Sequence, residues 1–223
     1  MKFFSISNSL VLIATTAILM GCGGGGSGAE PVTPVPTPPP PAATCSAAGL
    51  AASNASTAPN TVCMLTTQGE IVLELYAAKA PLTVANFLDY TKAGLYSNTL
   101  YHRVLVGFVN QGGGFTADGK HIATYAPIKL ESNNGLSNER GTIAMARTSD
   151  PNSATSEFFI NTANNSTGLD FGCSAAGCDP NGYAVFGKVI AGMDVVDKIS
   201  GVAVNANGLP NQDVVTYWVQ RLK

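Results

Sequence analysis

About eight short segments with strand-like sequences limit the folds open to this chain more than any other feature. They alternate apolar and polar side chains or are rich in β-branched and aromatic residues, and glycine, asparagine or aspartate residues separate them. The segments are residues 61–67, 70–76, 99–104, 107–111, 141–147, 157–161, 184–190 and 213–222. Gln68-Gly69 divides the first two and indicates a hairpin.

Two further segments, far apart in the sequence, have helical patterns. Residues 81–93 begin with proline, repeat apolar side chains at helical spacing and are followed by Gly94, which provides a stop. Residues 191–200 predict a second, shorter helix. Many strands with only two helices predict a mainly β domain, a closed or nearly closed antiparallel barrel capped by helices. The glycine- and asparagine-rich stretch 112–138 predicts a long irregular segment.

The first 43 residues do not have the composition of a folded domain. Residues 1–21 carry Lys2 and then an apolar stretch that is too short for a membrane span, as in a secretory signal peptide. Residues 22–43 are rich in glycine and proline and predict a flexible tether, with a proline-rich recognition peptide as the alternative. The folded domain is therefore expected at residues 44–223.

The end of the signal segment predicts a lipid anchor. Leu19-Met20-Gly21-Cys22 resembles a bacterial lipobox, in which the cysteine is lipidated after cleavage in front of it. An ordinary signal peptide with a cysteine beside its cleavage site is the alternative. Because Gly23, not aspartate, follows Cys22, we expect the outer membrane, with the domain facing the periplasm. The membrane would then be contacted only through this anchor.

The other four cysteines and the charge balance restrict the ligands. Four cysteines in an exported protein suggest two disulfides. Cys173 and Cys178 are close enough in sequence for a disulfide between them to close a local loop. Cys45 would then pair with Cys63, while a four-cysteine zinc site is the alternative. With 12 basic and 14 acidic residues and no basic stripe, the chain is not expected to bind nucleic acid.

The residue types available argue against most covalent chemistry. The chain has two histidines, His102 and His121, no G-x-S-x-G turn and no H-x-x-x-H pair. His102 lies next to Arg103 and so on the opposite strand face, which predicts a hydrogen-bonded core histidine. Rotation about an X–Pro peptide bond breaks no covalent bond; its barrier of about 18–20 kcal/mol comes from amide resonance. A guanidinium beside an apolar slot is suited to that reaction, without metal or cofactor.

Several sequence blocks carry a family resemblance. Residues 101–113 (YHRVLVGFVNQGG) look like the signature of cyclophilin peptidyl-prolyl isomerases. The resemblance continues, in the family's order, in residues 134–136, 141–147 (GTIAMAR), 156–161 (SEFFIN) and 183–189 (YAVFGKV), and is closest to the periplasmic bacterial branch. It implies a closed eight-stranded antiparallel β-barrel with two capping α-helices, and an isomerase that needs no cofactor. The implied partners are proline-containing polypeptides. With the export signal, we expect these to fold in the envelope, and we expect the protein to be a monomer.

The resemblance also implies the roles of individual residues. Arg103 corresponds to the catalytic arginine, and Gln111 to a glutamine that binds the substrate backbone and helps to hold the arginine. Phe108, Val109, Phe159 and Leu169 correspond to the proline pocket, Ala146 and Arg147 to the strand that aligns the peptide, and Tyr183 to its rim.

Three departures from the family pattern stand out. Glu157 replaces a glutamine, and we expect its carboxylate to bind substrate or to pair with Arg103. Gly168 replaces an aromatic residue, which removes a pocket wall and should weaken cyclosporin binding. Residues 171–182 form a longer connection than usual, which the predicted disulfide would stiffen. A proline-peptide binding module or holdase chaperone with little turnover is the alternative function.

Overall fold

The computed structural model describes residues 42–223, so the predicted signal peptide, Cys22 and nearly all of the tether lie outside the described residues. The strands are β1 (Asn60–Thr66), β2 (Gly69–Leu75), β3 (Thr99–Leu105), β4 (Val109–Thr116), β5 (Thr142–Met145), β6 (Phe158–Asn161), β7 (Val185–Ala191) and β8 (Val215–Arg221). The helices are α1 (Ala47–Ala55), α2 (Pro81–Lys92), α3 (Ser166–Leu169) and α4 (Met193–Ser200).

The eight strands form a closed barrel in the order β1-β2-β7-β5-β6-β4-β3-β8. Every neighbouring pair is antiparallel, and β1 pairs with both β2 and β8, which closes the barrel. Closure leaves no open sheet edge. The predicted fold class, a closed eight-stranded antiparallel barrel with helices, is therefore confirmed.

The helices differ from the prediction, because the described residues contain four of them and not two. The helix α1 consists mainly of small residues and has little apolar periodicity, so its sequence gave little sign of a helix. Its N-terminus is capped by Ser46, whose side chain accepts a hydrogen bond from the Gly49 amide. The other additional helix, α3, is a single turn of four residues.

The glycines after Gln111 do not end a strand, as the sequence had suggested, because β4 continues through them to Thr116. Gly113 has a φ of +81°, and a Cβ atom there would lie 2.9 Å from the Phe158 ring and from the Ser156 carbonyl oxygen. Only glycine combines this backbone conformation with such a close approach. Gly113 therefore lets β4 pass close to the start of β6 and the residues just before it.

The interior of the barrel is filled mainly by aromatic and branched aliphatic side chains. Phe158 lies at its centre and contacts the rings of Phe87, Tyr96 and Tyr101 at centroid distances of 5.7, 5.6 and 6.1 Å. Phe87 is supplied by α2, which packs against β8. The next residue along β6, Phe159, belongs to a separate apolar cluster outside this core.

Both predicted disulfides, Cys45–Cys63 and Cys173–Cys178, are present. The first attaches the segment before α1 to β1, and the second closes a short loop before β7. Because each cysteine is bonded to another, none of the four thiols is free to bind zinc, and the four-cysteine zinc alternative is wrong. None of the helices within residues 42–223 is long and apolar enough to cross a membrane.

Candidate active site

A cavity of about 400 Å³ opens outside the barrel wall and brings together nine of the ten residues predicted to bind or act on substrate. These residues are Arg103, Phe108, Val109, Gln111, Ala146, Arg147, Phe159, Leu169 and Tyr183. The tenth, Glu157, lines a smaller neighbouring cavity of about 140 Å³, which shares Gln111, Ala146 and Arg147 with the first.

The strand register aligns three of these side chains in a row. Arg103 on β3 is paired with Gln111 on β4, and Gln111 is in turn paired with Phe159 on β6. Directly opposed residues of antiparallel neighbours project from the same face of a sheet, so their side chains meet. The row therefore runs from a guanidinium through an amide to an aromatic ring.

A bulge explains why both His102 and Arg103 lie outside the core. The pairing register of β3 with β4 shifts between Tyr101 and Arg103, while Tyr101 and Val104 both face the barrel interior. A bulge adds one residue to a strand and so redirects the side chains around it. The prediction of a hydrogen-bonded core histidine is therefore right about the hydrogen bond and wrong about the core. His102 lies outside the barrel core with its side chain 16% exposed, beside Glu157, and packs edge-on against Phe115 at 4.8 Å.

The apolar part of the cavity is a small cluster of its own. Val109, Ala144, Phe159 and Val185 are buried at its base, and Phe108 and Leu169 pack against them from the side. The Tyr183 ring meets the Phe159 ring edge-on, with centroids 5.5 Å apart. Such a surface suits an apolar ring of a ligand and excludes water from it.

A chain of polar contacts supports Arg103. Its Nη1 donates to Gln111 Oε1 at 3.3 Å, and Gln111 Nε2 donates to Glu157 Oε2 at 2.7 Å. His102 Nε2 lies 3.3 Å from the same Oε2 atom. Since a carboxylate only accepts, Glu157 forces the amide NH₂ of Gln111 towards itself and the amide oxygen towards Arg103. Glu157 thus contacts Gln111 and His102, and not Arg103 as expected.

The surroundings of Glu157 favour its ionised form. Burial alone would raise the pKa of this carboxyl, but hydrogen bonding and charge from His102, together with the Gln111 hydrogen bond, lower its pKa below the ordinary 4.5. Glu157 therefore remains a carboxylate, and an acceptor for Gln111, to a more acidic pH than an isolated glutamate.

Comparison with known proteins agrees with this geometry. Residues 61–219 match the family described as "Cyclophilin type peptidyl-prolyl cis-trans isomerase/CLD". The chain belongs to the cyclophilin family. It is 52% identical over 154 residues to peptidyl-prolyl cis-trans isomerase B of Escherichia coli, covering 67% of this chain and 92% of that protein. It is 50% identical over 176 residues to an isomerase of Acinetobacter baylyi, covering 77% and 90%.

Solved structures support the fold independently of close sequence similarity. A cyclophilin type isomerase of Cryptosporidium parvum superposes with a TM-score of 0.61 at 23% identity, covering 74% of this chain and 98% of that one. Together with the family match and the relatives at about half identity, this makes the chain a peptidyl-prolyl cis-trans isomerase. The binding module with little turnover is not the function that these relatives indicate.

Gly168, which replaces an aromatic residue of the family pattern, has open space at its Cβ position. Gly168 lies in α3, next to Leu169, and a Cβ atom built on it meets no other atom within 4 Å. The position is therefore not filled by a neighbouring side chain, and nothing near its Cβ would block a larger residue there.

Sequence reasoning missed several residues that shape this cyclophilin site. Ala144, Val185 and Leu136 contribute to the apolar cluster but read as ordinary strand or loop residues. Asp179 contacts Arg147 across 32 positions, and no local pattern links the two. His102 was recognised but assigned to the core, because the bulge in β3 has no sequence signature that separates it from regular alternation.

The lowered pKa of Glu157 predicts how the stability of this cyclophilin depends on pH. A carboxyl whose pKa is lower in the folded state stabilises the fold above the unfolded pKa, and this contribution is lost as the pH falls through the folded pKa. We expect the wild type to be more stable than Glu157→Gln near pH 7, by about 1 kcal/mol, since hydrogen bonds to charged groups are stronger than neutral ones. The difference should shrink below pH 4.5, the ordinary pKa of this group.

Urea unfolding of both proteins between about pH 3 and pH 7 measures this difference. Glu139→Gln is the matched control, because Glu139 is an exposed carboxylate away from the cavity. A stability difference between wild type and Glu157→Gln that does not change with pH would contradict the assignment of a stabilising carboxylate.

Proposed function

We propose that this isomerase accelerates X–Pro bond rotation in polypeptides that fold in the bacterial envelope, with Arg103 as the catalytic residue. The observation that carries the proposal is the exposed guanidinium of Arg103 at the edge of an apolar cavity, with one hydrogen bond to Gln111. A guanidinium has five N–H donors, so most of them remain available to a substrate.

The mechanism follows from the nature of the barrier. Twisting the X–Pro bond removes amide resonance, and the prolyl nitrogen then becomes pyramidal and able to accept a hydrogen bond. A hydrogen bond from Arg103 to this nitrogen would be stronger in the twisted state than in either planar state, which is the condition for catalysis. Phe108, Phe159 and Leu169 would hold the proline ring while the other side of the bond turns. No covalent intermediate is needed.

The polar chain behind Arg103 supports this role. Gln111 presents its carbonyl oxygen to the guanidinium, and Glu157 fixes that orientation of the amide. Arg103 is thereby oriented without a carboxylate beside it, which would compete with the substrate. Ala146 and Arg147, at the end of β5, are suited to align an extended peptide along the cavity.

The proposed substrate has a precedent in a relative. One solved structure of the Cryptosporidium parvum isomerase was determined in the presence of the dipeptide Ala-Pro, and it superposes with a TM-score of 0.59 at 24% identity. An NMR exchange measurement on an Ala-Pro peptide is therefore a suitable test. We expect faster cis–trans exchange with the protein than without it; binding of the peptide with no acceleration would support the holdase alternative.

We further propose that the protein acts as a monomer held in the outer membrane, facing the periplasm, by a lipid on Cys22. The lipobox-like sequence and the proline-rich stretch that follows it support this placement. The disulfides Cys45–Cys63 and Cys173–Cys178 are consistent with an exported protein, since disulfides persist in oxidising compartments.

The substitution Cys22→Ser tests the anchor. We expect the wild type to incorporate labelled palmitate in bacterial cells and to sediment with outer membranes, and Cys22→Ser to lose both properties. Ser27→Ala, a change within the same tether, is the control and should behave like the wild type. Equal labelling of Cys22→Ser and wild type would exclude lipidation at this cysteine.

A further inference from the structure

We propose that the loop of residues 170–182, called here the rim loop, positions Tyr183 at the edge of the substrate cavity and that Arg147 transmits this effect. The rim loop contains the Cys173–Cys178 disulfide and ends directly before Tyr183. The inference rests on the proposed substrate cavity, and it gives Arg147 a function other than contact with the peptide through its side chain. Arg147 and Asp179 are positioning residues in this view.

The guanidinium of Arg147 is buried, and each of its three nitrogen atoms donates at least one hydrogen bond. Its side chain is 1% exposed. Nε and Nη2 both donate to the Gly182 carbonyl oxygen, at 3.1 and 2.8 Å, and Nη1 donates to the Thr148 carbonyl oxygen at 2.9 Å. Nη2 also donates to Asp179 Oδ2 at 2.7 Å. A guanidinium that is buried in this way has little capacity left for a substrate.

Arg147 also lies over the Tyr183 ring, with the guanidinium carbon 4.6 Å from the ring centroid. A cation over an aromatic face is attractive, and more so where water is excluded. Tyr183 meets Phe159 edge-on at 5.5 Å, and its backbone amide donates to the Leu169 carbonyl oxygen at 2.8 Å. The ring is therefore held between a cation and an aromatic side chain of the cavity.

The rim loop holds the carboxylate that fixes Arg147. Asp179 comes directly after Cys178, and its Oδ1 accepts hydrogen bonds from the backbone and side-chain nitrogens of Asn181, each at 2.9 Å. Gly172 donates its amide to the Pro180 carbonyl oxygen at 2.8 Å, which closes the loop across the disulfide. The disulfide limits the conformations of the short segment that presents Asp179.

Arg147 can affect a ligand only through Tyr183 if this arrangement is correct. Replacing Arg147 should then weaken peptide binding about as much as replacing Tyr183. Replacing both should weaken peptide binding no more than replacing Tyr183 alone. Residues that act independently would instead give additive free energies, that is, multiplied losses of affinity. The outcome of the double substitution therefore separates a positioning role from an independent one.

The test is a double-mutant cycle measured by NMR titration of the protein with an Ala-Ala-Pro-Phe peptide. We expect Arg147→Ala and Tyr183→Ala each to raise Kd about 5- to 10-fold, and the double variant to match Tyr183→Ala within about 2-fold. Arg147→Lys should raise Kd by nearly as much as Arg147→Ala, because an ammonium cannot reproduce the planar contacts. Losses that multiply in the double variant would overturn the proposal.

Two variants test the rim loop without removing a buried side chain. Asp179→Asn and the double variant Cys173→Ser/Cys178→Ser should each raise Kd about 2- to 3-fold in the wild-type background, and neither should change Kd further in the Tyr183→Ala background. The matched control is Cys45→Ser/Cys63→Ser, which removes the disulfide beside α1 and should leave Kd unchanged. Rim-loop variants that bind peptide like the wild type would overturn the role of the loop.

Because the readout is binding, the result does not depend on how Arg103 acts. If Arg103→Ala retained full isomerase activity, the proposed mechanism would fail while the cycle between Arg147 and Tyr183 stood. If the losses of affinity in the Arg147 and Tyr183 variants were additive in free energy, the positioning role of the rim loop would be rejected, and the proposed mechanism at Arg103 would be unaffected.

Discussion

Replacing Arg103 by alanine is expected to lower kcat/KM on an Ala-Pro peptide by about 100- to 1000-fold, the loss typical of removing one group that stabilises a transition state. The affinity for the peptide should change by less than about 3-fold, because the apolar walls of the cavity are unchanged. The proposed hydrogen bond to the prolyl nitrogen exists only at the twisted geometry, so its loss affects the rate and not the ground state. NMR exchange gives the rate, and peptide titration gives the affinity.

Arg103→Lys is the matched variant, since it keeps the positive charge but loses the planar array of donors. We expect it to recover only part of the lost rate. Stability should be nearly unaffected in both variants, because Arg103 is an exposed residue with one long hydrogen bond, at 3.3 Å, to Gln111. An Arg103→Ala protein with at least half of the wild-type rate would remove Arg103 from the mechanism.

Two adjacent phenylalanines are expected to respond to truncation in opposite ways. Phe158→Ala should lower the free energy of unfolding by about 3–5 kcal/mol, because Phe158 is at the centre of the barrel and its removal leaves a cavity. Phe159→Ala should lower the free energy of unfolding by only about 1–2 kcal/mol, because Phe159 borders a cavity that is already open. It should, however, raise the Kd for the peptide at least about 10-fold.

Urea unfolding and peptide titration of the two variants provide the comparison, and each variant is the control of the other. Phe158→Leu offers a milder core change if Phe158→Ala does not fold, with an expected loss of about 1–2 kcal/mol and nearly unchanged peptide affinity. Equal effects of Phe158→Ala and Phe159→Ala on both measurements would contradict the separation of the barrel core from the substrate cavity.

The sequence was sufficient to predict much of the architecture. Short strand patterns between glycine, asparagine and aspartate residues predicted a mainly β fold, because the period of a strand is visible in a few consecutive residues. The short spacing of Cys173 and Cys178 favoured one disulfide and left Cys45 and Cys63 as the second pair, and both are present. The helix α1 was missed, because its small residues show no clear apolar face; it lies beside the Cys45–Cys63 disulfide and contacts β2.

The candidate site was predicted mainly from the order of its blocks. No single residue between positions 101 and 113 indicated a reaction. The whole block did so together with the blocks around Arg147 and Phe159. The side chains named from the sequence do line one cavity, with Glu157 in the cavity next to it. What each of them does to a substrate remains a prediction for the variants above to test.

By itself, the sequence determined the strand pattern, because the period of a strand is local. The resemblance of its ordered blocks to the cyclophilin family named the residues around the cavity. Only the tertiary structure decided which groups touch. The bulge in β3 moved His102 out of the core and beside Glu157, and the strand register placed Gln111 between Glu157 and Arg103. The rim loop brought Asp179 to Arg147. Contacts between residues distant in sequence depend on strand register and on loop geometry. A shift of one residue in the register would move every side chain of a strand to the opposite face of the sheet.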